Sequence, residues 1–236
     1  MDKITRKDLK TDKFAAEVTH SLEFVTAHRQ QSARYGGAAL ALIALAAGIY
    51  WYRGNAHASR QTALTEAVRT KEAVVTASPQ PDEVKKTFPT QADKDKAVVK
   101  AFQEVVSKYP RSDEASVASY QLGTIYSDEG KLEEAEKAFK ASMDAGGKDY
   151  ASAAKLSLAQ IHQARRKYAE AEKLLKELIE NPTVLVSKEQ ATFALIRVLA
   201  ASRPADARKM LEPMMKDDRP AIARNASALI AELPAK

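Results

Sequence analysis

The four histidines are the residues best suited to acid–base chemistry or metal binding, because imidazole titrates near neutral pH and ligates transition metals. They are His20, His28, His57 and His162, and they lie far apart in the sequence. The chain contains no cysteine and no His-Glu-x-x-His motif. The sequence therefore predicts no metal site, no disulfide framework and no thiol chemistry.

Three neighbouring carboxylates, Glu133, Glu134 and Glu136, follow the helix-breaking Gly130. Acidic side chains favour the positive N-terminal end of a helix, so we interpret them as a solvated first turn and not as an acid–base pair. A glycine-rich phosphate loop and a Gly-x-Ser-x-Gly nucleophile motif are absent from the sequence. We predict that the protein is not an enzyme and uses no cofactor.

Residues 35–52 form an uncharged stretch between Arg34 and Arg53. A helix of this length reaches roughly 27 Å, close to the ~30 Å hydrocarbon core of a bilayer. Tyr35 lies at one end and Trp51 at the other, where aromatic side chains favour the headgroup level. The stretch predicts a single transmembrane helix.

Three alternatives bear on this stretch. Ala56-His57-Ala58 has the form of a signal cleavage site, although 34 residues precede the apolar run. A buried core helix is the second alternative, and length and end residues argue against it. Finally, small residues at helical spacing could admit a second transmembrane helix, unless they only reflect the abundance of Ala and Gly. These residues are Gly37, Ala41, Ala44 and Gly48.

Residues 1–34 are expected to form an amphipathic tail. An apolar stripe along it would lie on the membrane surface, bind a partner or pack loosely before the anchor. The stripe consists of Phe14, Val18, Leu22 and Val25. Seven basic residues favour a cytoplasmic position for the tail. They are Lys3, Arg6, Lys7, Lys10, Lys13, Arg29 and Arg34.

Downstream of the anchor, a connecting segment over residues 53–91 is predicted to hold a helix at 53–77 and a proline-rich loop at 78–91. From residue 92 to residue 236, paired helices separated by Gly or Pro stops predict an α-solenoid. The predicted helices are 92–108, 115–129, 132–143, 150–164, 168–180, 188–201, 205–215 and 221–233. Gly123 and Ala159 are 36 residues apart, and the same period separates Ala135, Ala171 and Ala207. The predicted fold is therefore all-α.

The first repeat combines Leu122-Gly123, Tyr126, Ala135 and Phe139, and residues 111–220 resemble tetratricopeptide repeats. The whole layout resembles the ancillary SecYEG translocon subunit family. The tail 2–10, the anchor, Lys108-Tyr109-Pro110 and the turn 130–135 carry this resemblance. In one departure from the family pattern, the proline-rich loop splits the first repeat.

The resemblance implies a partner-binding groove along the first helix of each repeat, and its predicted positions fall in three groups. They are Val117, Tyr120, Thr124 and Ser127; Ala153, Leu156, Gln160 and Gln163; and Glu189, Thr192, Ile196 and Leu199. Only Glu189 is charged, so we expect apolar or amide-rich partner segments. Alternatively, Tyr120, Leu156 and Ile196 are core residues and the groove has no ligand.

The resemblance further implies a single-pass protein of the bacterial inner membrane, with a cytoplasmic N-terminus and a periplasmic C-terminal domain. Its expected function is a protein-binding adaptor for translocation-channel subunits and periplasmic chaperones or emerging chains. A scaffold for envelope assembly or division is the alternative, and a soluble enzyme is a third. Although the net charge is +6, the charges of both signs are interleaved, so no nucleic-acid partner is expected.

Overall fold

Stop signals in the sequence coincide with the ends of the helices in a computed structural model, which describes residues 29–76 and 86–233. The apolar stripe of the tail, most of its basic residues, His20 and His28 lie outside the described residues. So does most of the proline-rich loop. Within the described ranges the chain is predominantly helical, which confirms the predicted all-α class.

The described residues form nine helices and one pair of short strands. The helices are α1 (Arg29–Lys71), α2 (Gln91–Lys108), α3 (Asp113–Asp128), α4 (Leu132–Asp144), α5 (Lys148–Ala164), α6 (Tyr168–Glu180), α7 (Lys188–Ser202), α8 (Pro204–Met214) and α9 (Pro220–Glu232). The strands β1 (Val74–Val75) and β2 (Thr87–Phe88) pair in parallel, with Val74 opposite Thr87 and Val75 opposite Phe88. From α2 to α9, each helix packs against the next one along the chain.

Contacts divide the chain into two units, residues 1–58 and residues 59–236. In the described part of the first unit, α1 exposes large apolar side chains, among them Leu40, Ile43 and Trp51. Gly37–Lys71 is the one described segment long and apolar enough to cross a membrane, and its most apolar window of 18 residues has a mean hydropathy of 1.2 and is 0% buried. A buried core helix would cover these apolar side chains, so their exposure argues against that alternative.

The second unit begins with the C-terminal end of α1, which the sequence had assigned to a connecting segment. Ala67 is 1% exposed and packs with Val98, Phe102 and Val105 of α2. Burial of this apolar surface makes residues 59–71 part of the domain core. The helix ends at Lys71, whereas the sequence predicted helix to residue 77.

The strand pair places β1 where the sequence predicts the end of the 53–77 helix and β2 within the predicted proline-rich 78–91 loop. The backbone N–H of Val74 donates to the Lys86 carbonyl at 3.1 Å, and that of Thr76 donates to the Phe88 carbonyl at 2.9 Å. Phe88 is half-buried. The residues of β1 and β2 are β-branched or aromatic, and such residues favour extended backbone.

The second helices of the repeats, α4, α6 and α8, follow the predicted 36-residue period. Ala135, Ala171 and Ala207 are fully buried, and the large side chains four residues later are at most 2% exposed. Those large side chains are Phe139, Leu175 and Leu211. Small and large residues thus alternate at fixed positions, and neighbouring helices interdigitate around them.

Several polar side chains inside the second unit are paired. Ser116 on α3 and Ser142 on α4 exchange two hydrogen bonds, because each hydroxyl donates to the other residue's backbone carbonyl at 2.8 Å. Glu114 on α3 is 3% exposed. Gln61 donates to its carboxylate at 3.0 Å, and the guanidinium of Arg60 lies 3.2 Å away. These contacts join the C-terminal end of α1 to α3.

Candidate interaction surface

Three helices of the second unit, α3, α5 and α7, are first members of helix pairs and lie side by side. Contacts join α3 to α5 and α5 to α7. We call the surface that these helices form the α3–α5–α7 face. The ring of Tyr120 on α3 meets the ring of Tyr150 on α5 edge-on, with centroids 5.5 Å apart. Leu156 on α5 belongs to the same apolar cluster as Phe193 on α7.

The buried positions of α5 and α7 match at a spacing of 37 residues and not at the predicted 36. Ala154, Leu158 and Ala159 of α5 correspond to Ala191, Leu195 and Ile196 of α7. Since the second helices keep the 36-residue period, α7 alone is displaced by one residue. The displacement follows a seven-residue connection, 181–187, which is longer than the connection 145–147 before α5.

This displacement corrects the predicted groove positions on α7. Ile196 is fully buried and Leu199 is 5% exposed, so both side chains belong to the core. Thr192 is half-buried, and its hydroxyl donates to the Lys188 carbonyl at 2.8 Å. Counting 37 residues from each α5 position places four other residues of α7 on the face instead. They are Gln190, Phe193, Arg197 and Ala200.

The positions predicted on α3 are all half-buried, and they remain on the face. They are Val117, Tyr120, Thr124 and Ser127. The Tyr120 ring is fixed by Tyr150 and by Phe139, whose centroid is 5.7 Å away. The Thr124 hydroxyl donates to the Tyr120 carbonyl at 3.1 Å. The α3 part of the face thus combines Val117 and the fixed Tyr120 ring with the hydroxyl side chains of Thr124 and Ser127.

On α5 the predicted positions divide between surface and core. Gln160 is exposed, whereas Ala153 and Gln163 are half-buried. Leu156 is 8% exposed and packs in the core. The alternative that Tyr120, Leu156 and Ile196 are core residues therefore holds for Leu156 and Ile196, whereas Tyr120 is half-buried.

Two recesses open beside these helices. The first has a volume of about 480 Å³ and contains Val117, Tyr150 and Leu185. Its other lining residues are Asp113, Gly146, Gly147, Lys148 and Asp149. The second, about 470 Å³, lies between α7 and α9. It is lined by Glu189, Gln190, Phe193, Arg197, Ala221, Ile222, Asn225, Ala228, Leu229 and Glu232.

A turn in the connection 181–187 borders the first recess. The backbone N–H of Thr183 donates to the Val186 carbonyl at 2.9 Å, and the Thr183 and Ser152 hydroxyls lie 2.6 Å apart. Val186 is 1% exposed and anchors the turn in the core. Val184 is 91% exposed, so the turn presents an apolar side chain to solvent.

At the second recess, Glu189 is bound in an ion pair, whereas Arg197 is not paired with any described residue. Arg219 pairs with Glu189 at 2.6 Å and with Asp217 at 2.9 Å. Hydrogen bonds from the Arg219 guanidinium lower the pKa of Asp217 to about 2 and also lower the pKa of Glu189. Arg197 has no carboxylate within ion-pair distance among the described residues. It is the one formally charged residue at the twelve corrected positions of the α3–α5–α7 face.

His162 occupies a buried position at the end of α5. Its Nδ1 atom has no hydrogen-bond partner, and burial lowers the pKa of the imidazole below its ordinary value, although the nearby Glu136 carboxylate opposes this shift. Glu133 and Glu134 are exposed, whereas Glu136 pairs with Lys140 at 2.6 Å and with Arg165 at 3.0 Å. Across the described ranges, no group of three or more His, Asp or Glu side chains is arranged to hold a metal ion.

Comparison with protein-family models, with curated proteins and with solved structures found no match to this chain.

Proposed function

We propose that this protein is a membrane-anchored adaptor whose tetratricopeptide-type solenoid binds other proteins through the α3–α5–α7 face. The observation that supports it most is the make-up of that face. Gln160 is exposed and Tyr120 is half-buried on this face, next to two recesses of nearly 500 Å³. Apolar walls with a few amide groups suit an extended protein segment, because amides both donate to and accept from a peptide backbone.

The solenoid assignment rests on packing. The second helices repeat with a period of 36 residues, and the first helices contact one another as well as their partners. Such stacking places one helix of every pair on a common surface, which repeat proteins use for binding. The C-terminal end of α1 and α2 would then form the first helix pair, interrupted by the strand pair.

The proposed location rests on α1 and on the resemblance of the chain to the ancillary SecYEG translocon subunits. An exposed apolar segment of α1 suits a bilayer-spanning anchor. The basic tail favours the cytoplasmic side, which would place the second unit in the periplasm. In that position the α3–α5–α7 face would bind periplasmic chaperones or emerging chains, and the anchor would lie beside the channel.

Purification from membranes in mild detergent, followed by mass spectrometry, tests this function. Channel subunits and periplasmic chaperones are expected to be retained by the wild-type chain. Their retention should fall when the face is altered by Tyr120→Ser together with Gln160→Glu. Lys137→Glu, at an exposed site of α4, is the matched control and should leave retention unchanged.

The other outcomes decide between the alternatives. Retention of cell-wall synthesis proteins would support a scaffold for envelope assembly or division. A chain that remains in the soluble fraction would contradict the anchor and revive a soluble function. Protease added from the cytoplasmic side should leave the second unit intact, and its digestion would overturn the proposed orientation.

A further inference from the structure

The second recess joins apolar surface, amide groups and one cation that lacks a counter-ion. Phe193, Ile222 and Leu229 supply the apolar wall. Gln190 on α7 and Asn225 on α9 place amide groups on its two sides. Arg197 extends from the same face of α7, four residues after Phe193, on the helix turn that follows it.

Neither of the two glutamates that line the recess forms an ion pair with Arg197. Glu189 is already bound by Arg219 at 2.6 Å, and that guanidinium also binds both carboxylate oxygens of Asp217, at 2.9 and 3.0 Å. Glu232, in the last turn of α9, is exposed and lies beyond ion-pair distance of Arg197. The guanidinium of Arg197 therefore retains its capacity to bind a carboxylate from a ligand.

The two glutamates also limit what that ligand can be. They lie among the lining residues, so a run of carboxylates would meet like charge at Glu189 and Glu232. A single carboxylate placed at Arg197 avoids this repulsion. Apolar side chains on either side of it would contact Phe193 and Leu229, while Gln190 and Asn225 would bind the peptide backbone.

We infer that the recess between α7 and α9 binds an extended protein segment in which one acidic residue is flanked by apolar residues, with its carboxylate on Arg197. This inference rests on the proposed function and specifies the partner chemistry of the same face. It differs from the expectation drawn from the sequence, which assigned no cation to the face. The change follows from the one-residue displacement of α7.

An array of 12-residue peptides tests the inference with the full-length chain in detergent. Every peptide carries two leucines in an Ala, Ser and Gly background, and the residue between them is Asp, Asn or Lys. The wild-type chain should bind the Asp peptides about two- to fivefold more strongly than the Asn peptides, as expected for an ion pair at an exposed arginine. Arg197→Glu should reverse the preference in favour of Lys.

Arg224→Glu makes the same charge change on α9 at an exposed residue that does not line the recess, and it should preserve the preference for Asp. Equal binding of Asp, Asn and Lys peptides by the wild-type chain would overturn the inference while leaving the proposed function intact. So would an equal effect of the two arginine substitutions, because it would assign the preference to net charge. Failure to bind any peptide would count against both the inference and protein binding by this face.

Discussion

Gly123 on α3 lies so close to Phe139 on α4 that a Cβ atom added to the glycine would fall 2.6 Å from two carbons of the ring. Phe139 is 2% exposed, so its ring has little room to move away. The contact therefore sets how closely the two helices of this pair approach each other.

Gly123→Ala should destabilise the second unit, although alanine is the better helix former. Alanine contributes about 1 kcal/mol of helix propensity, whereas overpacking costs about 1–3 kcal/mol. We expect a net loss in the free energy of unfolding, measured by urea titration with circular dichroism. The double variant Gly123→Ala with Phe139→Leu should recover part of this loss relative to Phe139→Leu alone. A Gly123→Ala chain as stable as the wild type would contradict the contact.

The turns after α3 and α5 predict that glycine is favourable at two equivalent positions. Gly130 has a φ of 73°, and Arg166, 36 residues later, has a φ of 59°. The next backbone N–H closes each turn with a bond of 2.8 Å, from Lys131 to Tyr126 and from Lys167 to His162.

Left-handed backbone costs a non-glycine residue roughly 1–2 kcal/mol. Arg166→Gly should therefore raise the unfolding midpoint and Gly130→Ala should lower it, as measured by thermal denaturation. Arg166→Ala serves as the control for loss of the arginine side chain and should give no gain. A gain with alanine equal to that with glycine would point to charge removal and not to the backbone.

The features of this architecture that the sequence predicts are those that residues close together in the chain determine. All eight helices predicted after residue 91 begin and end within two residues of their bounds in the structure, because residues such as Gly130, Pro110 and Pro182 mark their ends locally. The 36-residue period identified the small and large core positions of α4, α6 and α8. It failed for α7, whose register depends on the path of residues 181–187 in three dimensions.

Contacts between segments that are distant in the sequence also explain the other features that were not predicted. A helix pattern over residues 59–71 predicts the element but not its partner, and Ala67 is buried only because α2 returns to it. The pairing of Val74 with Thr87 depends equally on contact between distant segments. For the candidate surface, the resemblance to tetratricopeptide repeats implies Tyr120 and Gln160. Phe193 and Arg197 were missed, and the doublet of large residues Leu195-Ile196 was the available signal that the register had changed.

The burial of His162 predicts that the protein loses stability on acidification. Burial holds the pKa of its imidazole below the ordinary value of 6.5, so near and below that pH the unfolded chain binds more protons than the folded one. The free energy of unfolding should therefore fall as the pH decreases from 7 to 5. Glu136 and Glu170 oppose the shift, and Lys140 and Lys167 reinforce it.

Urea titrations at pH 5 and pH 7 measure this effect. His162→Gln should reduce the difference in the free energy of unfolding between the two values. His57→Gln, at an exposed histidine, is the control for loss of an imidazole. An unchanged pH dependence in the His162→Gln chain would show that other groups cause it.

The apolar segment of α1 predicts how the chain partitions between membrane and water. Ile43 is 65% exposed, and arginine at the centre of a spanning helix costs about 2.5–3.5 kcal/mol. Ile43→Arg should therefore lower the fraction of the chain that remains in carbonate-washed membranes. Val184→Arg adds the same charge at an exposed apolar side chain of the second unit and should leave that fraction unchanged. Equal losses in both variants would contradict the anchor.

Photo-crosslinking in intact membranes tests most directly whether the α3–α5–α7 face binds proteins. A photo-reactive amino acid at Gln160, which is exposed on the face, is compared with the same amino acid at Lys137, which is exposed on α4. We expect discrete protein adducts from Gln160, including periplasmic chaperones or emerging chains, and none of these from Lys137. Lipid adducts alone from Gln160, or the same protein adducts from both positions, would contradict the account.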